Sequence, residues 1–355
     1  MGSSEHRCVL TGQLPDQEEH AVRDHGPPHE NQRDPAHDPA AGAPDRTYTF
    51  GDGDGEAARL ALVTKIFGPT SEELLTQVVE DPPVLAYDLG CGPGHTTRLV
   101  ARATGAALTV GLERSAAHLT RARDGAPKGV RFVTWDVAEL PFPTGPADLV
   151  YARLLLAHLE DPVAVALSWV TQLNVGGLLV VDELEWIATD YPVLQAHLHL
   201  AASLVATTGA QMCAGPLLAG LGDVPGLRQH LRRVVELPVP TTDAAAMFEM
   251  SLDAWGEGIV AAGLCDRSEL CELTSALSVL RDSPATGEIT WCWPPGTVNI
   301  ESTRWLNTAR ERVVAGGADR EDGGPRDVAF RRLIPLRLPR QPGGLPSRRR
   351  WRCGS

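Results

Sequence analysis

The sequence predicts an α/β fold, a doubly wound and mostly parallel sheet with helices on both faces. Three observations carry this. An apolar run from Val84 to Leu89 ends in glycines at alternate positions, Gly90, Gly92 and Gly94, and helical residues follow. Further short apolar runs recur downstream, and acids stand at or near their ends: Glu113, Asp136, and the pair Asp182 and Glu183. Helical stretches separate these runs, which is the pattern of βαβ units rather than of an all-β or all-helical chain.

The 355 residues are 43% hydrophobic and 22% charged, the composition of a globular protein with ample core. A net charge of −13 argues against a nucleic-acid-binding body and, less strongly, against an anionic membrane surface. The seven cysteines are odd in number, scattered and without a C-x-x-C pair, so free thiols in a reducing compartment are expected. No apolar run approaches the ~20 residues of a membrane span, and no leader-like apolar segment opens the chain. A cytoplasmic protein is the expectation. Residues 1–46 are rich in Pro, His, Asp and Glu, and offer too little apolar surface to offset the entropy of ordering. They read as a disordered tail, and His6, His20, His25, His29 and His37 within it are too dispersed for a metal tract.

Ordered sequence begins near Tyr48, and the ordered domain is expected over 47–295. Glu56 to Phe67 has apolar residues at helical spacing, and Gly68-Pro69 should halt that helix. Thr70 or Ser71 would then cap a second helix over 71–80. The segment 48–60 either packs beside the sheet or folds over a bound ligand. Val84 to Leu89 is the first strand, and Thr96 to Thr104 starts the helix after the glycine turn. A strand, a glycine turn and a helix N-terminus together hold nucleotide-like ligands, since glycine admits close backbone approach and the helix end presents unpaired N–H groups. A dinucleotide site needs G-x-G-x-x-G, and its third glycine position is His95 here, so that pattern fails. What stands instead is Asp88-x-Gly90-x-Gly92-x-Gly94.

Ala107 to Leu112 is the second strand, ending in Glu113, 19 residues after Gly94. Val130 to Asp136 is the third and Ala147 to Ala152 the fourth. Trp135 either stacks near a ligand or fills the core. Pro162 to Leu173 forms a helix, and Gly176 to Glu183 the fifth strand. Leu194 to Thr207 is helical and holds His197 and His199, whose i, i+2 spacing turns them apart and disfavours a metal pair. Leu231 to Val239 reads as a sixth strand, Asp243 as the cap of a helix reaching about Ala262, Arg267 to Leu280 as a further helix, and Gly287 to Trp293 as a seventh strand. Segments at about 185–228 and 243–281 should form helical caps over the carboxyl edge of the sheet, where open α/β sheets bind ligands. Residues 296–355 are Arg-, Gly- and Pro-rich, with Arg348-Arg-Arg350 near the end. They read as a solvated, disordered extension or a reading-frame accident or, alternatively, as a nucleic-acid-binding tail.

The motif around Asp88 to Gly94 resembles motif I of the class I S-adenosylmethionine-dependent methyltransferases. The stretch from Asp148 to Pro162, with Arg153, His158 and Asp161, and the run Gly176 to Glu183 resemble small-molecule members of that family, so the likeness covers roughly residues 48–295. It implies a Rossmann-like, seven-stranded fold, S-adenosyl-L-methionine as cofactor, and methyl transfer to an O, N or C nucleophile of a small-molecule metabolite. Cofactor contacts are then expected at Asp88, Gly90, Cys91, Gly92, Gly94, Glu113, Arg114, Asp136, Val137 and Arg153. By this likeness Glu113 accepts from the ribose hydroxyls, Asp136 accepts from the adenine amino group, and the Val137 N–H meets a ring nitrogen. His158 is the candidate base, against a purely structural place in its helix. Tyr151, Arg153, Asp182 and Glu183 are candidates for holding the acceptor. No metal constellation accompanies them, and a homodimer is compatible with the chain. The alternatives are a non-methylating reaction on the same cofactor-binding scaffold, or a nucleic-acid-directed protein using the Arg tail.

Overall fold

The computed structural model describes residues 51–224, 227–283, 287–293, 295–300 and 350–351; the tail expected over 1–46 and most of the Arg-rich tail lie outside the described residues. The strands are β1 (Leu85–Leu89), β2 (Leu108–Glu113), β3 (Val130–Thr134), β4 (Ala147–Arg153), β5 (Leu173–Asp182), β6 (Trp186–Ala188), β7 (Leu227–Arg232), β8 (Val235–Pro240), β9 (Glu288–Trp293), β10 (Pro295–Ile300) and β11 (Arg350–Trp351). The helices are α1 (Asp54–Val78), α2 (His95–Thr104), α3 (Ala116–Arg123), α4 (Pro162–Val170), α5 (Pro192–Ala206), α6 (Thr241–Ala261) and α7 (Arg267–Asp282), with 3-10 turns at Leu156–His158 and Gly215–Asp223.

Five strands of the main sheet run parallel in the order β3-β2-β1-β4-β5, and β10 and then β7 extend it, β10 antiparallel to both neighbours. Alternation along each strand divides the core between the two faces. Tyr87, Leu89, Val150, Ala152, Leu179 and Val181 point to the side of Leu167, Trp169 and Val170 of α4. Ala86, Leu149, Tyr151 and Val180 point to the other side, against Leu74, Leu75 and Val78 of α1 and Leu99 and Val100 of α2. A second, antiparallel sheet, β11-β6-β9-β8, shares a separate core with α5, α6 and α7. Helix α1 also joins that core, through Val63 and Phe67. No helix among the described residues is long and apolar enough to cross a membrane.

Several expectations need correction. Helix α1 runs unbroken through Gly68 and Pro69. Proline removes one helical N–H, but Pro69 and Lys65, whose carbonyl loses that partner, lie on the exposed face where water can replace it. Thr70 and Ser71 cap nothing; the Thr70 hydroxyl donates to the Phe67 carbonyl at 2.8 Å, and Ser71 lies inside the helix with its hydroxyl turned to Asp182. The expected strand over 231–239 divides at Arg233 and Val234 into β7 and β8, which belong to different sheets. Arg233 there reaches α1, donating to Glu73 at 2.9 Å. The strand over 287–293 joins the second sheet, and β10, past the expected domain end, takes its place in the main one. The 185–228 cap contains β6 and β7 as well as helix, and α6 starts at Thr241, so Asp243 sits in its first turn rather than capping it.

Buried side chains tie α1 and the loop after β4 to the sheet's carboxyl edge. Asp182 accepts from the Ser71 hydroxyl at 2.7 Å and the Tyr151 hydroxyl at 3.0 Å. Arg153 donates to Thr64 at 2.9 Å and Ser71 at 3.4 Å. Glu183 is fully buried; its Oε1 accepts from the Leu155 and Leu156 backbone N–H groups at 2.8 and 2.7 Å, and its Oε2 has no partner. Burial pushes this carboxyl from its ordinary 4.5 up to about 8, against the opposing pull of those N–H groups.

Two outcomes follow from this packing. A Cβ on Gly111 would lie 2.7 Å from Thr97 Oγ1 and 2.8 Å from both Cys91 Sγ and Phe132 Cδ1. Gly111→Ala should therefore cost about 1–3 kcal/mol in urea unfolding, and an unchanged midpoint would contradict the packing. Glu183 in the folded chain keeps a proton that the unfolded chain releases, so its contribution is complete below about pH 4.5 and is lost as pH rises through about 8. Glu183→Gln should flatten the decline in urea midpoint between those values, and an equal slope in both proteins would show the carboxylate to be ionised.

Candidate active site

The site is built on the carboxyl ends of five adjacent parallel strands, whose order reverses between β1 and β4, the switch point at which such sheets leave a crevice. At the end of β1, Gly90, Gly92 and Gly94 all have left-handed backbones, with φ of 62°, 52° and 83°. A side chain at any of them would be strained. Neighbours press on two of them as well. A Cβ on Gly90 would meet Leu155 Cδ1 at 2.6 Å, and one on Gly94 would meet Phe132 Cζ at 2.7 Å. The Cys91 N–H bonds the Leu112 carbonyl at 3.1 Å, which fastens the turn to β2, and the Cys91 side chain is buried.

Asp88, 1% exposed, sits beneath this turn. Its Oδ2 accepts from the Thr96 and Thr97 hydroxyls, each at 2.7 Å, while Oδ1 has no partner. Burial raises its pKa to about 6, and the two threonine hydroxyls and the charge of Arg153 oppose the rise. Glu113, at the end of β2, spans three backbone donors. Its Oε2 accepts from Gly92 at 3.0 Å, and its Oε1 from Arg114 at 2.7 Å and Ser115 at 2.8 Å. Beyond β3, Asp136 Oδ1 accepts from the Ala138 N–H at 2.9 Å, and the Val137 carbonyl from the Trp169 indole at 2.8 Å. The Arg114 side chain points to solvent.

The expected residues are thus gathered on neighbouring strand ends. Asp88 stands in register with Gly111 on one side and Tyr151 on the other, and Arg153 with Asp182. Asp182 and Tyr151 are spent on each other and on Ser71, which makes them part of the frame. Trp135 packs against the main core, and its indole donates to the Glu139 carbonyl at 2.9 Å. His158 lies partly buried on the turn after β4, where burial and then the charge of Arg59 push its pKa down to about 4, so its imidazole is neutral at pH 7. The start of α1 and the residues just before it lie at the same edge. Asp52 accepts from the Ser115 hydroxyl at 2.7 Å, Arg121 pairs with Asp54 at 2.6 Å, and Leu60 Cδ1 comes within 3.5 Å of a Cβ built on Gly92.

Sequence reasoning missed Thr96, Thr97, Ser71 and Leu155. The two adjacent hydroxyls directly after the glycine turn were a visible sign of an N-terminal partner for a buried acid. The places of Ser71 and Leu155 depend on chain segments brought from afar.

Residues 87–181 match a family described as a methyltransferase domain. A trans-aconitate 2-methyltransferase of Methylobacterium radiotolerans is 33% identical over 183 residues, 52% of this chain and 64% of that protein. A second, of Rhizobium etli, is 37% identical over 112 residues, 32% of this chain and 43% of its own length. The chain thus spans less than two thirds of the curated relatives it matches. Among solved structures, a methyltransferase of Thiobacillus denitrificans in complex with S-adenosyl-L-homocysteine aligns at 16% identity over 65% of this chain and 91% of its own, with a TM-score of 0.41. Residues 87–181 are therefore similar to a methyltransferase domain, and over this stretch the chain resembles known methyltransferases.

Proposed function

We propose that this enzyme transfers the methyl group of S-adenosylmethionine to a small molecule, and that small polycarboxylic acids are its acceptor class. The observation that carries the reading is the left-handed glycine turn flanked by two acids with complementary tasks. Asp88 Oδ1, buried and unpartnered, suits a cationic N–H donor such as the cofactor's α-amino group. The Glu113 carboxylate, at the next strand end, suits a ribose hydroxyl, since a carboxylate has about four acceptor positions and the three taken by backbone leave one open. Asp136 and the Val137 N–H would meet the adenine edge, and Arg153 would balance the charge of Asp88.

When bound, the cofactor supplies an electrophilic sulfonium methyl. The chain's own part is to hold the acceptor in line with that methyl and to keep water away. Helix α1 lays Leu60 over the glycine turn, and the pairing of Asp52 and Asp54 with Ser115 and Arg121 holds that cover down. His158, neutral at pH 7, can take a proton from an acceptor that must lose one, whereas a carboxylate acceptor is already deprotonated and needs no base. The names of the curated relatives support an acid as acceptor, as does the cationic Arg59 beside the cap.

The test is a discontinuous assay with methyl-labelled S-adenosylmethionine and trans-aconitate, citrate, a catechol or a primary amine. Label should enter an acid, with S-adenosylhomocysteine formed at least about ten-fold above the blank. Binding of the cofactor with transfer only to the catechol or the amine would overturn the acid assignment.

A further inference from the structure

The second core, beneath the cap, holds a polar side chain that its packing does not explain. His197 on α5 is 3% exposed, and neither ring nitrogen has a partner. Its ring stacks on Phe248 at 3.9 Å and 7°, and Trp255 lies 5.4 Å away. Leaving a buried imidazole without hydrogen bonds is costly, and an apolar ring would fill the same slot without that penalty. The core that Phe248 and Trp255 of α6 belong to also holds Leu194, Leu198 and Ala201 of α5 and Val63 and Phe67 of α1. Arg59 lies one helical turn before Val63, on the same face of α1, and holds the buried Glu56 in a two-pronged ion pair. One further irregularity borders this core. Leu154, packed against it and directly after β4, is the one non-glycine residue with a left-handed backbone among the described residues, at φ 51°. Strain of this kind, in the loop that leads from the strand end to His158, fits a place where a ligand is handled.

We propose that His197 is an acceptor-binding residue, and that its ring N–H donates to a carboxylate oxygen of the methyl acceptor seated between α1, α5 and the turn bearing His158. This rests on the functional reading above and adds the residues that select the acid. The charge of Arg59 reaches both imidazoles and, after burial, helps hold His197 at about 3 and His158 at about 4. Both rings are thus neutral near pH 7, and each offers one N–H donor and one acceptor nitrogen. Arg59 supplies the attraction for an anion, Glu56 keeps its guanidinium oriented, and the aromatic floor of Phe248 fixes the plane of the donor ring.

The experiment is calorimetric titration of trans-aconitate, and of its trimethyl ester as an uncharged control, into the full chain loaded with S-adenosylhomocysteine. His197→Phe keeps the stacked ring and removes the donor, His197→Leu removes it in a second shape should the phenyl ring disturb folding, and His197→Gln keeps a donor. The donor-less variants should bind S-adenosylhomocysteine within about two-fold of wild type, yet bind trans-aconitate at least about ten-fold more weakly, and His197→Gln should recover part of that loss. Wild-type affinity for the acid in a donor-less variant that still binds S-adenosylhomocysteine would overturn the inference and leave the functional reading standing. Preference of wild type for the ester would also overturn it. Failure of the loaded wild-type protein to bind or methylate any small acid would remove the reading and this inference with it.

Discussion

The carboxylate of Glu113 holds together the part of the molecule on which everything else rests. One oxygen takes the Gly92 N–H of the glycine turn, and the other takes the Arg114 and Ser115 N–H groups at the start of the next loop. Hydrogen bonds to a charged acceptor are stronger than neutral ones, so this single side chain fixes the spacing between the ends of β1 and β2. The turn it grips can exist only because three glycines accept left-handed backbones. Beneath it, Asp88 binds the first two threonines of α2, and Gly111 lets that helix settle onto the sheet. The crevice is a consequence of these local constraints, acting together.

A second set of ties joins this crevice to the cap. Helix α1 is shared between the two cores, contributing Leu74, Leu75 and Val78 to the sheet and Val63 and Phe67 to the cap. Ser71, Arg153, Tyr151 and Asp182 form a buried polar seam along its inner face. Glu183, one residue on, holds the loop after β4 by two backbone N–H groups, and that loop in turn presses Leu155 against Gly90. Because each of these contacts is made by a segment distant in sequence, a shift of α1 or of the loop would be felt at the glycine turn. The N-terminal start of α1 completes the enclosure through Asp52 and Ser115.

Where the chemistry is local, the sequence was legible. The strand, turn and helix from Leu85 to Thr104, and the acids Glu113 and Asp136 at strand ends, follow from residue type and spacing within a few positions. The division of 227–240 between two sheets was not, because the apolar residues Leu231, Val235, Leu237 and Val239 keep one parity across the break at Arg233. Nor was the continuity of α1, since Pro69 ends a helix unless the carbonyl it orphans faces water, which only the packed structure decides. The last strands exchanged places for a similar reason: Gly287 to Trp293 and Pro295 to Ile300 are adjacent in sequence, and pairing partners alone assign each to its sheet. His197 reads as one of two helical histidines turned apart; its burial against Phe248 and Trp255 comes from α6, a segment distant in sequence.

The central claim is that the Glu113-braced glycine turn is the cofactor site. Calorimetric titration with S-adenosylmethionine and S-adenosylhomocysteine, on wild type and on Glu113→Ala, tests it most directly. The account predicts micromolar binding by wild type and a loss of at least about ten-fold in the variant, with the variant still folded by circular dichroism. Equal affinity in wild type and variant, or no binding by a folded wild-type chain, would contradict it.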